Sequence, residues 1–333
     1  MKCLVIYFSL TGNTKKVAEA VSRGVKQAAG HCDLKPIKEV DPKNLAEYDL
    51  IGLGTLVIGW TPLNVELFIN KISGADGTHI FSFCTHNTYW DEYFPSILPA
   101  LEKQGLKVIG WNHWFGSAYG PLNQPTPYLT DGHPDSRDLE EAEAFGREMV
   151  DRSLRIRAGE DGLVPEFPKM PSDEEREGLP PPPPKEIMME QYRNAYKRFS
   201  YDAGKCLYPE CTLCMDNCPM GGINLAVDPP RIARPCMLCQ FCDQICPTGA
   251  IEYSLEALKE MAQMDAEANF EAAAIKRCRE YEQAGIFRRY VPEDKIGWDR
   301  SIVEVYDQHP RFVIGKGRVQ GIDPWEWSGS SDK

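Results

Sequence analysis

The chain has 333 residues, of which 42% are hydrophobic and 26% charged, and its formal net charge is −12. Two domains of ordinary size fit this length, and the acidity argues against a broad basic face for nucleic acid or an anionic membrane. No stretch approaches 18 apolar residues, so we expect no membrane span. The acidity would suit a partner with a basic docking patch, and it would equally serve solubility alone.

The cysteines are unevenly distributed. There are twelve, and eight of them lie between Cys206 and Cys246. The apolar run CLVIYFSL that follows Lys2 is short and has no small-residue cleavage site, unlike a signal peptide. We therefore expect a cytoplasmic protein, in which disulfides are rare and clustered cysteines bind metal.

Residues 1 to about 153 alternate between strand and helix patterns. The run CLVIYFS predicts a strand buried on both faces, and TKKVAEAVSRGVKQAAG predicts a helix that stops at Gly30. Further strands are predicted near 33–38, 50–55, 79–84 and 106–111, and helices over 63–72, 92–104 and 135–154. This alternation predicts an α/β fold with a parallel sheet and helices on both faces.

The composition changes near residue 155. An acidic segment with five prolines at 180–184 favours extended polyproline II geometry and predicts a semi-rigid spacer. IMMEQYRNAYKRF predicts a short amphipathic helix, and SLEALKEMAQMDAEANFEAAAIKRCREYEQAG predicts a helix or helical pair. The predicted divisions are a domain at 1–154, a linker at 155–200, a cysteine-rich domain at 201–253, and a helical extension with an irregular tail at 254–333.

The loop SLTGNT joins the first predicted strand to the first helix. Its residues present backbone N–H groups and hydroxyls at a helix N-terminus, which favours a phosphate. The loop matches neither the nucleotide motif G-x-x-x-x-G-K-[ST] nor the dinucleotide motif G-x-G-x-x-G. An ordinary capped turn is the alternative interpretation of so short a motif.

The longer string VIYFSLTGNTKKVAEAV resembles the flavodoxin signature, whose places are filled in order by Tyr7, Ser9, Gly12, Thr14, Ala18 and Val21. With the strand rhythm, the resemblance extends over about 1–153. It implies a doubly wound, five-stranded parallel sheet of order 2-1-3-4-5, with FMN bound outside the carboxyl ends of the strands. The loop residues implied in binding the FMN phosphate are Ser9, Leu10, Thr11, Gly12, Asn13 and Thr14.

Two further loops, at 54–62 and 84–90, would flank the flavin ring in such a domain, and FGSAYG would line the same pocket. The implied flavin contacts are Thr55, Trp60, Thr85, His86, Tyr89 and Tyr119. Trp60 and Tyr89 offer flat rings for stacking, although either would also suit a surface or an interface. His86 could move a proton near the flavin, or it could simply form hydrogen bonds within its loop.

The run CMLCQFCDQICP has the spacing C-x2-C-x2-C-x3-C-P, which bacterial proteins use for [4Fe–4S] clusters. A zinc site needs four ligands in two pairs and could use some of the same cysteines. An earlier run, CTLCMDNCPMGGI, matches CQFCDQICPTGAI at an offset of 28 residues. Eight cysteines in two near-repeats fit two cubes better than zinc.

This repeat resembles the two-cluster bacterial ferredoxin pattern, a small α+β domain, over about 201–253. In that pattern the fourth cysteine of each run binds the other cluster. The resemblance implies one cluster on Cys206, Cys211, Cys214 and Cys246, and a second on Cys218, Cys236, Cys239 and Cys242. Cys206 lies two residues further out than the repeat predicts, so the alternative is a cluster with three cysteines.

The whole chain resembles flavodoxin–ferredoxin fusion proteins, known mainly from anaerobic bacteria and archaea. The resemblance implies FMN and two [4Fe–4S] clusters in an electron-transfer protein that serves a partner redox enzyme and has no catalytic residues of its own. One alternative is an FMN-dependent reductase with a substrate pocket built by Trp60, His86, Tyr89 and Trp114. Another is a redox subunit that docks onto a larger complex through 286–333.

Overall fold

The structure is a computed structural model that describes residues 1–58, 61–118, 120, 127–176, 181, 183–296, 309–314 and 317–318. The chain forms two compact units: unit 1 is Met1–Ser117 with His133–Ser172, and unit 2 is Ala118–Gly132 with Asp173–Lys333. Residues 118–132, which the sequence analysis groups with the first domain, therefore cluster with unit 2. Residues 155–172 of the predicted linker cluster with unit 1.

Unit 1 is built on a five-stranded parallel sheet of order β2-β1-β3-β4-β5, which confirms the predicted fold. The strands are β1 (Cys3–Tyr7), β2 (Asp33–Pro36), β3 (Leu50–Leu56), β4 (His79–His86) and β5 (Lys107–Phe115). Nearly every residue of β1, β3 and β4 is buried, because helices cover both faces of the sheet. This double burial explains why these strands are continuous apolar runs in the sequence.

Two glycines of β3 make room for aromatic rings of β4. A Cβ atom on Gly52 would lie 2.5 Å from the ring of Phe81, and one on Gly54 would lie 2.2 Å from the ring of Phe83. Phe81 packs edge-on against Phe145 of a flanking helix. The glycines that interrupt the apolar run LIGLGT thus serve close packing within the sheet.

Four helices flank the sheet, and they confirm the predicted helices. They are α1 (Asn13–Ala29), α2 (Leu63–Ile69), α3 (Tyr93–Glu102) and α4 (Ser136–Arg157). Helices α1 and α4 approach closely on one face, since a Cβ on Gly24 would lie 1.9 Å from the carbonyl oxygen of Glu143. The same is true of Gly146, whose Cβ would lie 2.2 Å from the carbonyl oxygen of Val21. Small residues at this contact let the two helices share one apolar core with the sheet.

Unit 2 contains the cysteine-rich segment. Helix α5 (Lys185–Asn194) precedes strand β6 (Phe199–Tyr201), which pairs antiparallel with β7 (Ile251–Tyr253). Two short helices, α6 (Leu213–Asp216) and α7 (Phe241–Ile245), lie between these strands and contact each other. The two helices begin 28 residues apart, so the sequence repeat is also a structural repeat.

Two longer helices follow, α8 (Leu255–Glu267) and α9 (Phe270–Gln283), which confirms the predicted helical pair. Ser254 begins α8 by accepting a hydrogen bond from the backbone N–H of Ala257 at 3.2 Å. Asn269, with a φ of 51°, separates the two helices. No helix in the described part of the chain is long and apolar enough to cross a membrane.

The described structure ends with a small antiparallel pair, β8 (Phe312–Val313) and β9 (Gly317–Arg318). Arg311, just before β8, forms a buried ion pair with Asp243 of α7 at 2.6 Å. The predictions that fall outside the described residues concern Trp60 and Tyr119 of the flavin loops, Pro180 and Pro182 of the spacer, and residues 297–308, 315–316 and 319–333 of the predicted tail.

Candidate functional site

The loop between β1 and α1 holds the residues predicted to bind a phosphate. Gly12 has a φ of 104°, a backbone conformation that L side chains rarely adopt, and its N–H donates to Ser9 Oγ at 3.1 Å. Ser9, Leu10, Thr11 and Gly12 are half-buried. Helix α1 has no acidic residue in its first turn, so its positive end suits an anion.

The next two residues join this loop to the neighbouring strand ends. Thr14 and Thr85 are buried and share a hydrogen bond between their hydroxyls at 2.7 Å. The Asn13 side-chain amide donates to the carbonyl oxygen of Ser117 at 3.0 Å. These contacts bring together the carboxyl ends of β1, β4 and β5, where the flavodoxin resemblance places the flavin.

Asn13 also presents a polar atom suited to a ligand. Its Oδ1 is buried and has no hydrogen-bond partner among the described residues. An unpaired buried acceptor is costly, and a hydroxyl or N–H of a bound ligand would satisfy it. The donors of the Ser9–Gly12 loop and this acceptor therefore fit FMN, which carries a phosphate, ribityl hydroxyls and a ring N–H.

The other predicted flavin contacts differ in their burial and in whether the structure describes them. Thr55, at the carboxyl end of β3, is fully buried and its hydroxyl bonds to the Tyr93 hydroxyl at 2.6 Å. His86 is buried at the end of β4, and Tyr89 is half-buried in the loop that follows. Trp60 and Tyr119 lie outside the described residues.

The same edge of the sheet carries two residues that the sequence analysis missed, His113 and Trp90. His86 Nε2 and His113 Nδ1 are joined by a hydrogen bond of 2.9 Å, and the Trp90 ring stacks on His113 at 3.7 Å between centroids. Burial lowers the pKa of His113 to about 4, so its ring is neutral at pH 7. The sequence could have indicated this contact, because His113 lies near the end of the predicted strand that comes next after the one carrying His86.

Four cysteines line one cavity in unit 2. They are Cys206, Cys211, Cys214 and Cys246. The first three belong to the earlier cysteine run, whereas Cys246 ends the later one. The structure therefore brings together the four residues that the crossed ferredoxin pattern assigns to one cluster.

A second cavity is lined by the remaining four cysteines of the cysteine-rich segment. They are Cys218, Cys236, Cys239 and Cys242. Here Cys218, from the earlier run, joins three cysteines of the later one. In each cavity, three cysteines come from one run and the fourth is the last cysteine of the other run.

Backbone N–H groups point at several of these sulfurs. Gly222 N–H donates to Cys218 Sγ, and Ala250 N–H donates to Cys246 Sγ, each at 3.2 Å. The two donors are 28 residues apart, so this contact follows the repeat. Such hydrogen bonds stabilise thiolates and tune the potential of a bound cluster.

Burial alone would keep half of these eight thiols protonated, because it raises their pKa. It raises the pKa of Cys236 to about 11 and that of Cys239 to about 12. A bound metal reverses this effect, because its positive charge deprotonates a coordinating thiol. Thiols grouped in fours, with N–H donors directed at several of them, fit iron–sulfur ligation.

The longer loop between Cys206 and Cys211 does not keep Cys206 away from the first cavity. The loop is closed by a hydrogen bond of 2.9 Å from the Cys211 N–H to the carbonyl oxygen of Leu207. A hydrogen bond to Cys206 is the largest of the effects that raise the pKa of Tyr201, to about 12. Ligation by Cys206 stays a prediction, and the structure places its side chain at the cavity wall.

The spacing of the sulfur atoms is wide. Within the described ranges, one group of three potential metal ligands has all its ligand atoms within 4.8 Å of one another: His133, Asp135 and Asp138. No three cysteines in these ranges meet this criterion. Asp135 and Asp138 already form the capping box of α4. That trio therefore has a structural role, and the cysteine quartets are more open than a site for one small ion.

Comparisons with known proteins agree with a flavodoxin-like amino-terminal region and a ferredoxin-like cysteine-rich segment. Residues 4–104 match the family described as Flavodoxin domain. An uncharacterized ferredoxin of Methanocaldococcus jannaschii is 39% identical over 57 residues, which are 16% of this chain and 92% of that protein.

More distant similarity involves longer segments. An NAD(P)H dehydrogenase (quinone) of Rhizobium rhizogenes is 24% identical over 195 residues, which cover 46% of this chain and 98% of that enzyme. A flavodoxin structure from the domain Archaea has 19% identity and a TM-score of 0.37, and the match covers 46% of this chain and 99% of that one. The flavodoxin match lies at the amino end, and the ferredoxin relative is matched over nearly its whole length. The chain therefore combines a flavodoxin domain at its amino end with a segment related to a ferredoxin.

Proposed function

We propose that this chain is an electron-transfer protein that combines FMN with two [4Fe–4S] clusters and exchanges electrons with a partner redox enzyme. One observation carries the proposal: eight cysteines line two cavities, four to each, with the fourth cysteine of each run in the cavity of the other. This exchange is what two-cluster ferredoxins require.

The wide spacing of the sulfurs supports cubes over zinc. Four thiolates around one zinc ion, each about 2.3 Å from the metal in a tetrahedron, lie about 3.8 Å from one another. No three cysteine sulfurs of the described chain lie within even 4.8 Å of one another. A cluster of several metal ions holds its ligands further apart than a single ion does, so the observed quartets suit the larger group.

In the flavodoxin domain, the Ser9–Gly12 loop and the N-terminus of α1 would hold the phosphate of FMN. The Thr14–Thr85 hydrogen bond fixes this loop against β4, and Asn13 offers Oδ1 to the ligand. When bound, FMN supplies one- or two-electron chemistry and each cluster supplies one-electron chemistry. Joining the two units in one chain raises the effective concentration of each cofactor for the other.

The experiment that tests this function is an anaerobic purification with cofactor analysis. Two cubes require about eight irons and eight sulfides per chain, together with one FMN and an EPR signal from the reduced protein. A folded protein with only one or two bound metal ions, or with zinc in place of iron, would contradict the cluster part. A folded protein that neither retains nor rebinds FMN would contradict the flavin part.

A second candidate is an FMN-dependent reductase of a small molecule, for which the cluster of His86, His113 and Trp90 is the supporting observation. A neutral histidine held beside another histidine and a flat ring could orient an aromatic substrate. The relatives named NAD(P)H dehydrogenase (quinone) make a quinone the first substrate to test. Turnover of an uncharged quinone that falls in a His113→Gln variant, with FMN content unchanged, would favour this candidate over a simple carrier.

A further inference from the structure

The two cysteine cavities differ in the exposure of the apolar residues that line them. The first cavity is lined by two large apolar residues that face solvent, Leu207 with 50% of its surface exposed and Leu213 with 40%. Tyr208, next to Leu207, is 37% exposed. We name Leu207, Tyr208 and Leu213 the port surface.

The second cavity has no such exposed apolar lining. Among its lining residues Phe241, Met237, Ala233, Ile223 and Gln240 are all at most 6% exposed. None of its described lining residues is exposed. A docking protein therefore finds no exposed apolar side chain among the described residues that line this cavity.

Two of the three port residues, Leu207 and Tyr208, belong to the lengthened loop. Cys206 and Cys211 are separated by four residues, of which Leu207 and Tyr208 are two, and the loop turns at the Leu207–Cys211 hydrogen bond. Large apolar side chains exposed beside one another on a soluble protein commonly mark an interaction site. The two extra residues of the first repeat thus place apolar side chains at the mouth of the first cavity.

The charges around the port surface are mainly negative. Asp202, Glu210 and Asp216 are exposed in the segment that carries it, against one exposed lysine, Lys205. The chain as a whole has a net charge of −12. Interfaces of this kind pair an apolar centre with a complementary charged rim, which steers the encounter and speeds association.

We propose that the cluster held by Cys206, Cys211, Cys214 and Cys246 is the port through which this chain exchanges electrons with a partner protein, and that the partner presents an apolar contact ringed by lysine and arginine. The inference rests on the proposed function, because it needs a cluster in the first cavity. Electron tunnelling weakens steeply with distance, and Leu207 and Leu213 line the first cavity, so a partner docked on the port surface exchanges with this cluster faster than with the other.

The test uses the full chain, purified with its cofactors and reduced with dithionite, and cytochrome c as a small, basic one-electron acceptor. Each ferric haem accepts one electron from the reduced protein, and no bond or proton is transferred. The variants are Leu207→Gln/Leu213→Gln for the apolar contact and Glu210→Lys for the acidic rim. Their matched controls are Met264→Gln/Ile286→Gln and Glu260→Lys, which change exposed residues of unit 2 elsewhere.

We expect each port variant to slow cytochrome c reduction by about tenfold at low salt, the effect of losing one strong contact or reversing a rim charge. The controls should keep the wild-type rate, and all variants should keep their iron, sulfide and EPR signals. The rate of the wild type should fall as salt is raised, and that of Glu210→Lys should fall less.

Several results would overturn the inference. One is port variants that keep full cluster content and reduce cytochrome c at the wild-type rate. Another is equal slowing in the controls, which would indicate contact at no particular site. A third is a change in oligomeric state of the port variants without a change in rate, which would identify the surface as a contact between copies of the chain. A wild-type protein without about eight irons would instead contradict the proposed function.

Discussion

The buried ion pair between Arg311 and Asp243 offers a strong test of how unit 2 is held together. The Arg311 guanidinium lies 2.6 Å from an Asp243 oxygen, and the two side chains are 1% and 0% exposed. Arg311 also donates its backbone N–H to the carbonyl oxygen of Gln244 at 2.8 Å. The pair therefore joins the segment before β8 to α7, the helix that carries Cys242. The perturbation is Arg311→Met, which keeps the length of the side chain and removes its charge.

The expected loss of stability follows from burial. Removing one partner of a buried ion pair leaves the other charge in a poorly solvated place and costs about 3–5 kcal/mol. For a unit of this size, each kcal/mol lowers the melting temperature by roughly 2–4 °C, so we expect a fall of roughly 6–20 °C. Changing both residues, in Arg311→Met/Asp243→Leu, should recover most of the loss because no unpaired charge remains.

The chain supplies a matched control in the exposed pair Arg279–Glu293. Its shortest contact is also 2.6 Å, but the two side chains are 60% and 32% exposed. Arg279→Met should cost below about 1 kcal/mol, since water screens the pair. The assay is anaerobic thermal unfolding of the holoprotein, followed by visible circular dichroism of the clusters. Equal shifts for Arg311→Met and Arg279→Met, or a double variant no better than Arg311→Met, would refute the reasoning.

Three further predictions concern the cofactor sites and pH. Cys218→Ala should remove or degrade the cluster of the later cysteine run and leave the other cluster's EPR signal intact, because Cys218 lines the second cavity. Gly12→Ala should weaken FMN binding about tenfold in a fluorescence titration of apoprotein, since forcing a side chain to a φ of 104° costs about 1–2 kcal/mol. Burial lowers the pKa of His113 to about 4, so below pH 6.5 the unfolded state binds a proton at this residue before the folded state does. The melting temperature should therefore fall as the pH drops from about 6.5 towards 4. His113→Gln should flatten that part of the pH profile.

Each of these has its own control. Cys32→Ala, in unit 1, should keep both clusters, and loss of the earlier run's cluster in Cys218→Ala would contradict the exchanged ligands. Gly162→Ala places its new Cβ in open space at an ordinary φ, so FMN affinity should not change. Equal FMN affinities for Gly12→Ala and wild type would show that the loop conformation does not matter for binding. Parallel pH profiles for His113→Gln and wild type would contradict the role of His113.

Much of the fold could be predicted because its signals are local. Continuous apolar runs identified the parallel strands, and the sheet order followed from the flavodoxin resemblance and is confirmed. The grouping of residues 118–132 with unit 2 could not be predicted, because contacts far apart along the chain decide it. The contact of His113 with His86 depends in the same way on the register of β5 against β4.

The sequence by itself determined the chemistry of the sites. Cysteine spacing, the 28-residue repeat and the SLTGNT loop are properties of neighbouring residues, and they predict the local turns that present thiols or N–H groups. The tertiary structure decided which thiols meet and how much protein covers them. Cys218 and Cys246 reach the opposite cavities because α6 and α7 pack together. The lengthened loop that looked like an irregular motif becomes an exposed apolar surface, because residues 207–210 have no neighbours that bury them.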